Sequence, residues 1–314
     1  MAVRLPLVVL GGSDLHRSAV PPGLAANDML TGYKGVRRFR WGRCLAGELI
    51  DRARASGCFQ EPILVGPSRV YQKEIDCEIV DVEGNLVSTL QRAVETIRDR
   101  FDAHEPLAFI SCDIVPSADE LRRLISESYE PHQDCIFWGQ LIQADPNEMG
   151  ASSWKPSYRL LPDAGQLPMN FYPGHLIIVR PEGLRFSLTN HLLQLAYRYR
   201  NRQLHRRFTG LTLRAIGALI AADIQNLRSF QLPVLTVSLP LCGLWGYYKY
   251  RRNQLTLPEF EDIIAAAFLH RAYNHRGGER PVVFSVTSML SFAKDIDTIA
   301  EFEEVNLGQP CVSV

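Results

Sequence analysis

The feature that most constrains this chain is a series of short apolar runs, each closed by turn residues, with helix-length amphipathic stretches between them. Leu5 to Leu10, Pro62 to Val65, Glu78 to Val82 and Leu107 to Ser111 read as buried strands, because a strand covered on both faces lacks polar alternation. Between them, Gly42 to Ser56 places Leu45, Leu49 and Ile50 on one helical face. Asn85 to Arg100 does so with Leu86, Leu90, Val94 and Ile97, and Ala118 to Ser128 with Leu121, Leu124 and Ile125. Strand and helix in alternation imply right-handed crossovers, so the expected fold is α/β, a doubly wound, mostly parallel mixed sheet. At 46% hydrophobic and 22% charged, the composition excludes disordered and collagen-like chains.

The pattern changes after Cys135 to Ile142. A Pro/Gly/Ser-rich stretch, Asp145 to Pro173, precedes a further strand at Leu176 to Val179, and a last strand at Val282 to Val286 leads to a helix from Thr298. Residues 1–182 and 276–314 are therefore expected to form the α/β domain, with 183–275 as a basic helical insertion or subdomain. The 34 basic and 34 acidic residues cancel, yet Gly183 to Pro258 holds eleven Lys/Arg against the single acid Asp223. Within it, Arg198 to Arg207 lacks a nucleic-acid-binding motif, and no nucleic acid is expected as partner. The apolar Leu211 to Ala222 beside these arginines, with Trp245, Tyr247, Tyr248 and Tyr250 following, raises the expectation of peripheral membrane contact. Its twelve residues are too few to span a bilayer. Seven scattered cysteines and an N-terminal apolar run too short for a signal peptide point to reduced thiols and a cytoplasmic protein, with contact at the membrane surface.

Four segments carry residues suited to chemistry. Leu10, Gly11, Gly12 and Ser13 follow the first strand, where backbone amides can approach phosphate oxygens, and Arg17 is a cation nearby; paired glycines also occur in plain tight turns. Lys34, between Gly32 and Gly35, can reach the same phosphates as a point charge or remain a solvated surface lysine. Asp113 ends a nearly uncharged strand, where a carboxylate offers Mg²⁺ a hard ligand; a helix-capping role is less suitable because Ser117 supplies the cap. Asp295 and Asp297 stand before a capping box of Thr298 and Glu301, and the approach is expected to turn them in opposite directions, so that only one faces the crevice. Two aspartates there also suit the helix dipole. In the variable middle, Lys155 and Arg159 lie beside aromatics as an anionic acceptor requires, or as exposed loop residues do.

Together these segments resemble nucleotidyltransferases of the glycosyltransferase-A type, specifically the family similar to molybdenum-cofactor guanylyltransferase, over most of residues 5–135 and 280–305. Leu10, Gly12 and Arg17 match the family's Leu-Ala-Gly-Gly-x-Gly-x-Arg, Lys34 its following lysine, Asp113 its strand-end Asp-x-Pro, and Asp295, Asp297, Thr298 and Glu301 its closing Asp-x-Asp-Thr-x-x-Asp/Glu. Ser13 and Leu15 replace loop glycines, and the proline after Asp113 falls one place late, at Pro116. The resemblance also implies that Pro173 onward builds an acceptor pocket, with His175 where an asparagine is often found. It implies transfer of a nucleotide from a nucleoside triphosphate to a phosphorylated small-molecule or lipid-linked acceptor, with release of pyrophosphate. Loop amides and Arg17 are then expected on the β/γ phosphates, Lys34 on the α-phosphate, and Mg²⁺ on Asp113 and Asp297, the second aspartate being preferred to Asp295. Two other readings stay open at this point: a glycosyltransferase of the same fold using a nucleotide sugar, and a non-catalytic nucleotide-binding or membrane-associated protein.

Overall fold

The structure, a computed structural model, describes residues 4–12, 20, 23–84, 89, 92–96, 100–102, 104–186, 188–191, 217–221, 223–224, 227–228, 234–270, 273 and 280–308. Strand β1 (Leu7–Leu10) pairs in parallel with β2 (Ile63–Gly66) and β4 (Leu107–Ser111), and β3 (Glu78–Asp81) adds in parallel to β2. With β5 (Phe137–Gln143), β6 (Tyr158–Leu160), β7 (Met169–Pro173), β8 (Leu176–Val179) and β9 (Val282–Thr287) they form one nine-stranded sheet. Its order is β3-β2-β1-β4-β8-β5-β7-β6, with β9 paired to β5. β8 runs antiparallel to β4 and β5, and β7 to β5 and β6, while β9 is parallel to β5. Seven of the nine strands therefore share one direction, and the carboxyl tips of β1, β4, β5 and β9 lie along a single edge, the edge where open α/β sheets bind ligands.

Both faces are covered, as a doubly wound sheet requires. Leu7, Val9, Leu64, Ala108, Ile110 and Trp138 pack on α1 (Leu45–Ser56) and α3 (Ala118–Arg123). The alternate residues Val8, Val65, Leu107 and Phe109 pack with Ala265 and Leu269 around α5 (Leu257–Phe268). Between α1 and α3 lies the short α2 (Ser68–Tyr71). Ser117 caps α3 as its sequence predicts, accepting from the Glu120 amide at 3.1 Å. Further along, α4 (Leu235–Arg251) precedes α5, and α6 (Ile299–Gly308) closes the described chain. The expected helix over Asn85 to Arg100 is described only at Thr89, 92–96 and Arg100, and the helical stretch Leu188 to Gln225 lies mostly outside the described residues. Strands β6 and β7 were not expected: each is five residues or fewer, inside a stretch whose Pro and Gly content reads as loop.

One irregularity shapes the working edge. Leu141 of β5 faces Pro173 and Trp138 faces Ile178, so three steps along β5 correspond to five along the β7–β8 strand. The two surplus residues bulge at Gly174–His175. There the Gly174 amide donates to the Gln140 carbonyl at 2.9 Å, while the His175 amide turns to the Phe292 carbonyl at 3.0 Å. A Cβ on Gly174 would stand 2.3 Å from Cγ of the buried Gln140. Gly174→Ala is expected to destabilise the protein by about 1–3 kcal/mol, the usual cost of overpacking a closed core. Urea denaturation of the two proteins reads this directly; an unchanged midpoint would mean that Gln140 yields without cost.

Candidate functional site

The site is assembled where β4 ends. The Cys112 amide donates to the Leu10 carbonyl at 3.2 Å, tying the tips of β1 and β4 together, and Asp113 follows with its carboxylate accepting from Ser111 Oγ. Lys34 arrives from a one-turn 3₁₀ segment, Lys34–Val36. Its neighbour Gly35 lets that turn settle against the fold, since a Cβ there would meet Tyr71 Oη at 2.7 Å. Lys34 Nζ lies 3.0 Å from Asp113 Oδ2 and also bonds Asp297 Oδ1.

The other half comes from the segment before α6. The Ile296 amide donates to the Asp113 carbonyl at 2.8 Å, and the Asp297 carbonyl accepts from the Leu30 amide at 2.9 Å, so the segment is pinned from both sides. Ile296 is buried with Phe39, Leu45 and Phe302. Asp295 and Asp297 consequently both turn toward the charged cluster. This corrects the expectation that the pair diverges: residues at i and i+2 of an extended chain share a face, and it is the residue between them that points away. Asp295 meets His175 Nε2 at 3.3 Å and bonds Lys155 through its carboxylate and carbonyl. Lys155 also contacts Glu301 Oε1 at 3.2 Å, with side chains only 7% and 4% exposed. Glu301 closes the predicted capping box, Oε2 accepting from the Thr298 amide at 2.8 Å, and takes a further bond from Ser152 Oγ at 2.7 Å.

The cluster thus holds four carboxylates, Asp113, Asp295, Asp297 and Glu301, against Lys34, Lys155 and His175. Its net charge is −1 with a protonated imidazole and −2 with a neutral one. Burial alone would lower the Lys34 ammonium, but Asp113, Asp297 and Asp295 outweigh it and hold its pKa well above the ordinary value. Lys155 is raised likewise, burial being overcome by Asp295, Asp297 and Glu301. His175, lowered by burial, is raised on balance by Asp295. Burial would raise Asp113 and Asp295, yet Lys34 brings the first below its usual range, and His175 and Lys155 bring the second well below it. Asp297 goes the other way: burial and the charge of Asp295 push it up to about 6. Asp113, His175 and Asp295 can each present one ligand atom within 4.8 Å of the others. Two carboxylates and an imidazole on a net-negative centre suit a divalent cation.

Not every expected residue joins this centre. The Gly11 amide is spent on the Val65 carbonyl at 2.8 Å and its carbonyl accepts from Tyr71 Oη at 3.0 Å, so Gly11 extends the sheet ladder and has no amide left for a phosphate. Leu10 is likewise a sheet residue, whereas Gly12 stands just past the ladder. Ser13 and Arg17 lie outside the described residues. Arg159 is exposed on β6, at the end of the sheet order, and no contact among the described residues links it to the cluster. Lys155, expected to receive an acceptor, is instead buried as the internal counter-ion of Asp295 and Glu301. Sequence reasoning missed Ser111, Ser152 and Tyr71, which support the centre through hydrogen bonds and packing and form no motif. Beyond the cluster, at the carboxyl tips of β5 and β9, a cleft of about 710 Å³ is lined by Arg123, Gln143, Asn170 and Thr287 among others.

No protein-family model matches the chain, and no curated protein does. Among solved structures, a hypothetical transferase from Thermus thermophilus is similar over 95% of this chain and 99% of its own, at 17% identity and a TM-score of 0.54, which shows a common fold. A CMP:2-keto-3-deoxy-manno-octonic acid synthetase complexed with CTP overlaps 71% of this chain and 87% of its own, at 11% identity and a TM-score of 0.41. A 4-diphosphocytidyl-2C-methyl-D-erythritol synthase overlaps 57% and 76%, at 6% identity and 0.36.

The raised Asp297 generates a prediction with a definite sign. Its folded pKa of about 6 exceeds the unfolded carboxylate value, so the native state binds more protons between about pH 4 and 6 and this group's contribution to stability falls as pH rises through that window. In chelator-treated protein, Asp297→Asn is expected to stabilise the fold by about 1–3 kcal/mol at pH 7.5 and by little near pH 4. Thermal denaturation at the two pH values checks it; equal effects at both would show that Asp297 carries no raised pKa.

Proposed function

We propose that this protein is a nucleotidyltransferase, transferring a nucleoside monophosphate from a nucleoside triphosphate to a phosphorylated acceptor with release of pyrophosphate. The observation that carries the reading is the convergence of Lys34, Asp113, Asp295 and His175 at the carboxyl edge of β1 and β4. That edge is where an α/β sheet receives a nucleotide, and the chemistry asks the protein for position and charge.

An oxygen of the acceptor phosphate attacks the α-phosphorus in line; the new P–O bond forms as the bond to the β-phosphate oxygen breaks, and pyrophosphate departs with that electron pair. Lys34 swings from its two aspartates to the α-phosphate, starting as an ammonium because those carboxylates hold its pKa well above the ordinary value. The Gly12 amide, past the end of the sheet ladder, approaches the outer phosphates, which the Gly11 amide cannot do. Asp113, Asp295 and His175 would hold the divalent ion, Mg²⁺ in this reading although the imidazole also suits Mn²⁺, and that ion supplies charge neutralisation along the triphosphate. Lys155 keeps Asp295 and Glu301 in place without touching substrate. Asp297 serves chiefly to position Lys34, so the metal preference assigned to it from sequence passes to Asp295. The acceptor, a phosphorylated small molecule or a lipid-linked one, lies toward the cleft at β5 and β9.

Pyrophosphate release, measured with the four nucleoside triphosphates and Mg²⁺ across a library of phosphorylated acceptors, tests the reading; no release with any combination would overturn it. Asp113→Asn is expected to lower turnover by about a hundredfold or more, on the order of 3 kcal/mol of transition-state stabilisation, with an unchanged circular dichroism spectrum. Calorimetric titration with Mg²⁺ or Mn²⁺ should show a larger loss of affinity in Asp295→Asn than in Asp297→Asn, and the reverse order would return the second ligand position to Asp297.

A further inference from the structure

Helix α4 is apolar on two opposite faces. At about 100° per residue, Leu235, Leu239, Gly246 and Tyr250 fall on one side, and these pack inward. Leu235 and Leu239 lie against Leu188 and Leu219, Gly246 lies against Ile263 of α5, and Tyr250 joins the cluster around Leu160 and Phe171. The opposite side presents Val237, Leu241, Leu244, Trp245 and Tyr248, which are 64%, 60%, 57%, 45% and 52% exposed. An apolar stripe of this length on a protein surface marks an interaction site. Its chemistry is specific. The stripe ends in the exposed Arg251 and in Arg252, whose guanidinium lies 4.3 Å over the Tyr248 ring, while the Lys249 ammonium lies 4.5 Å over Trp245. No acidic residue occurs between Asp223 and Glu259. No helix among the described residues is long and apolar enough to cross a membrane.

We propose that this outer face of α4 lies flat on an anionic lipid bilayer, with the leucines and Val237 entering the acyl boundary, Trp245 and Tyr248 at headgroup level, and Arg251 and Arg252 on lipid phosphates. A protein partner's apolar groove would match the leucines and leave the terminal cations unanswered; a phospholipid surface answers both, and its thickness of interface accommodates rings and guanidinium groups at one depth. The inference stands apart from the catalytic reading, because it needs neither nucleotide nor acceptor. Should the transfer reaction also hold, the face would bring the site to a lipid-linked acceptor.

Co-sedimentation of the full chain with phosphatidylcholine vesicles, with and without phosphatidylglycerol, at low and high salt provides the test. Binding is expected only to the anionic vesicles, weakened by salt, with a blue shift of tryptophan emission that Trp245→Phe removes. Arg251→Gln and Arg252→Gln should each weaken binding about fivefold, and the double variant Leu241→Glu with Leu244→Glu by at least about tenfold. Both leucines are exposed, so their replacement leaves the fold intact, which circular dichroism verifies. Absence of binding at low salt would overturn the proposal. So would undiminished binding of the double leucine variant, which places the contact elsewhere in the chain, or a concentration-dependent dimer abolished by that variant in a protein that ignores vesicles, which makes a second copy the occupant.

Discussion

The interior ion pair of Lys155 with Asp295 and Glu301 is the contact on which the candidate site depends. Four carboxylates gathered at one sheet edge repel one another and lose hydration, and a buried charge without a partner costs several kcal/mol. Lys155 meets that cost at two carboxylates at once, and Lys34 does the same for Asp113 and Asp297. Their roles differ in exposure. Lys155 is sealed at 7% and acts as structure, whereas Lys34, at 25%, remains within reach of a ligand.

Backbone geometry makes this arrangement possible. The bulge at Gly174–His175 turns an otherwise regular strand so that His175 bonds to Phe292 and faces Asp295. The Ile296 amide on the Asp113 carbonyl then fixes the spacing between the two aspartates that share the metal-competent triad with it. Each device sets a distance on which electrostatics depends steeply in a partly dry site.

The sheet was legible in the sequence because its central strands are buried on both faces and so appear as unbroken apolar runs; β1, β2, β3 and β4 were found within a residue or two. The cap at Ser117 and the capping box at Thr298 were legible for a local reason, since each is complete within four residues. The β6–β7 hairpin was not, as short strands flanked by Pro and Gly carry no periodic signal. At the site, Asp113 and the two aspartates of 295–297 could be singled out because they end a strand or precede a cap, Lys34 by its flanking glycines, and His175 only through the family resemblance. Their partnership could not, since Lys34 and Asp297 are 263 positions apart. The burial of Lys155 was illegible for the same reason: nothing near Trp154 announces that Asp295 and Glu301 will close over it. The error over Asp295 was one of geometry, and period-two alternation, correctly applied, already puts both aspartates on one face.

Charge explains how such a centre could work on the nucleotidyltransferase reading. A triphosphate approaching four carboxylates is repelled, and Lys34 is the cluster's accessible lysine, already shared between Asp113 and Asp297. If Lys34 leaves for the α-phosphate, those two aspartates lose their counter-charge at the moment the phosphates arrive. The cluster therefore favours taking up positive charge together with the nucleotide, so that exchange of partners leaves neither carboxylates nor phosphates unpaired. A raised Asp297 fits that exchange: its carboxyl group, pushed up by burial and Asp295, is the member of the cluster readiest to take a proton when Lys34 withdraws, while Asp295 stays ionised against His175 and Lys155.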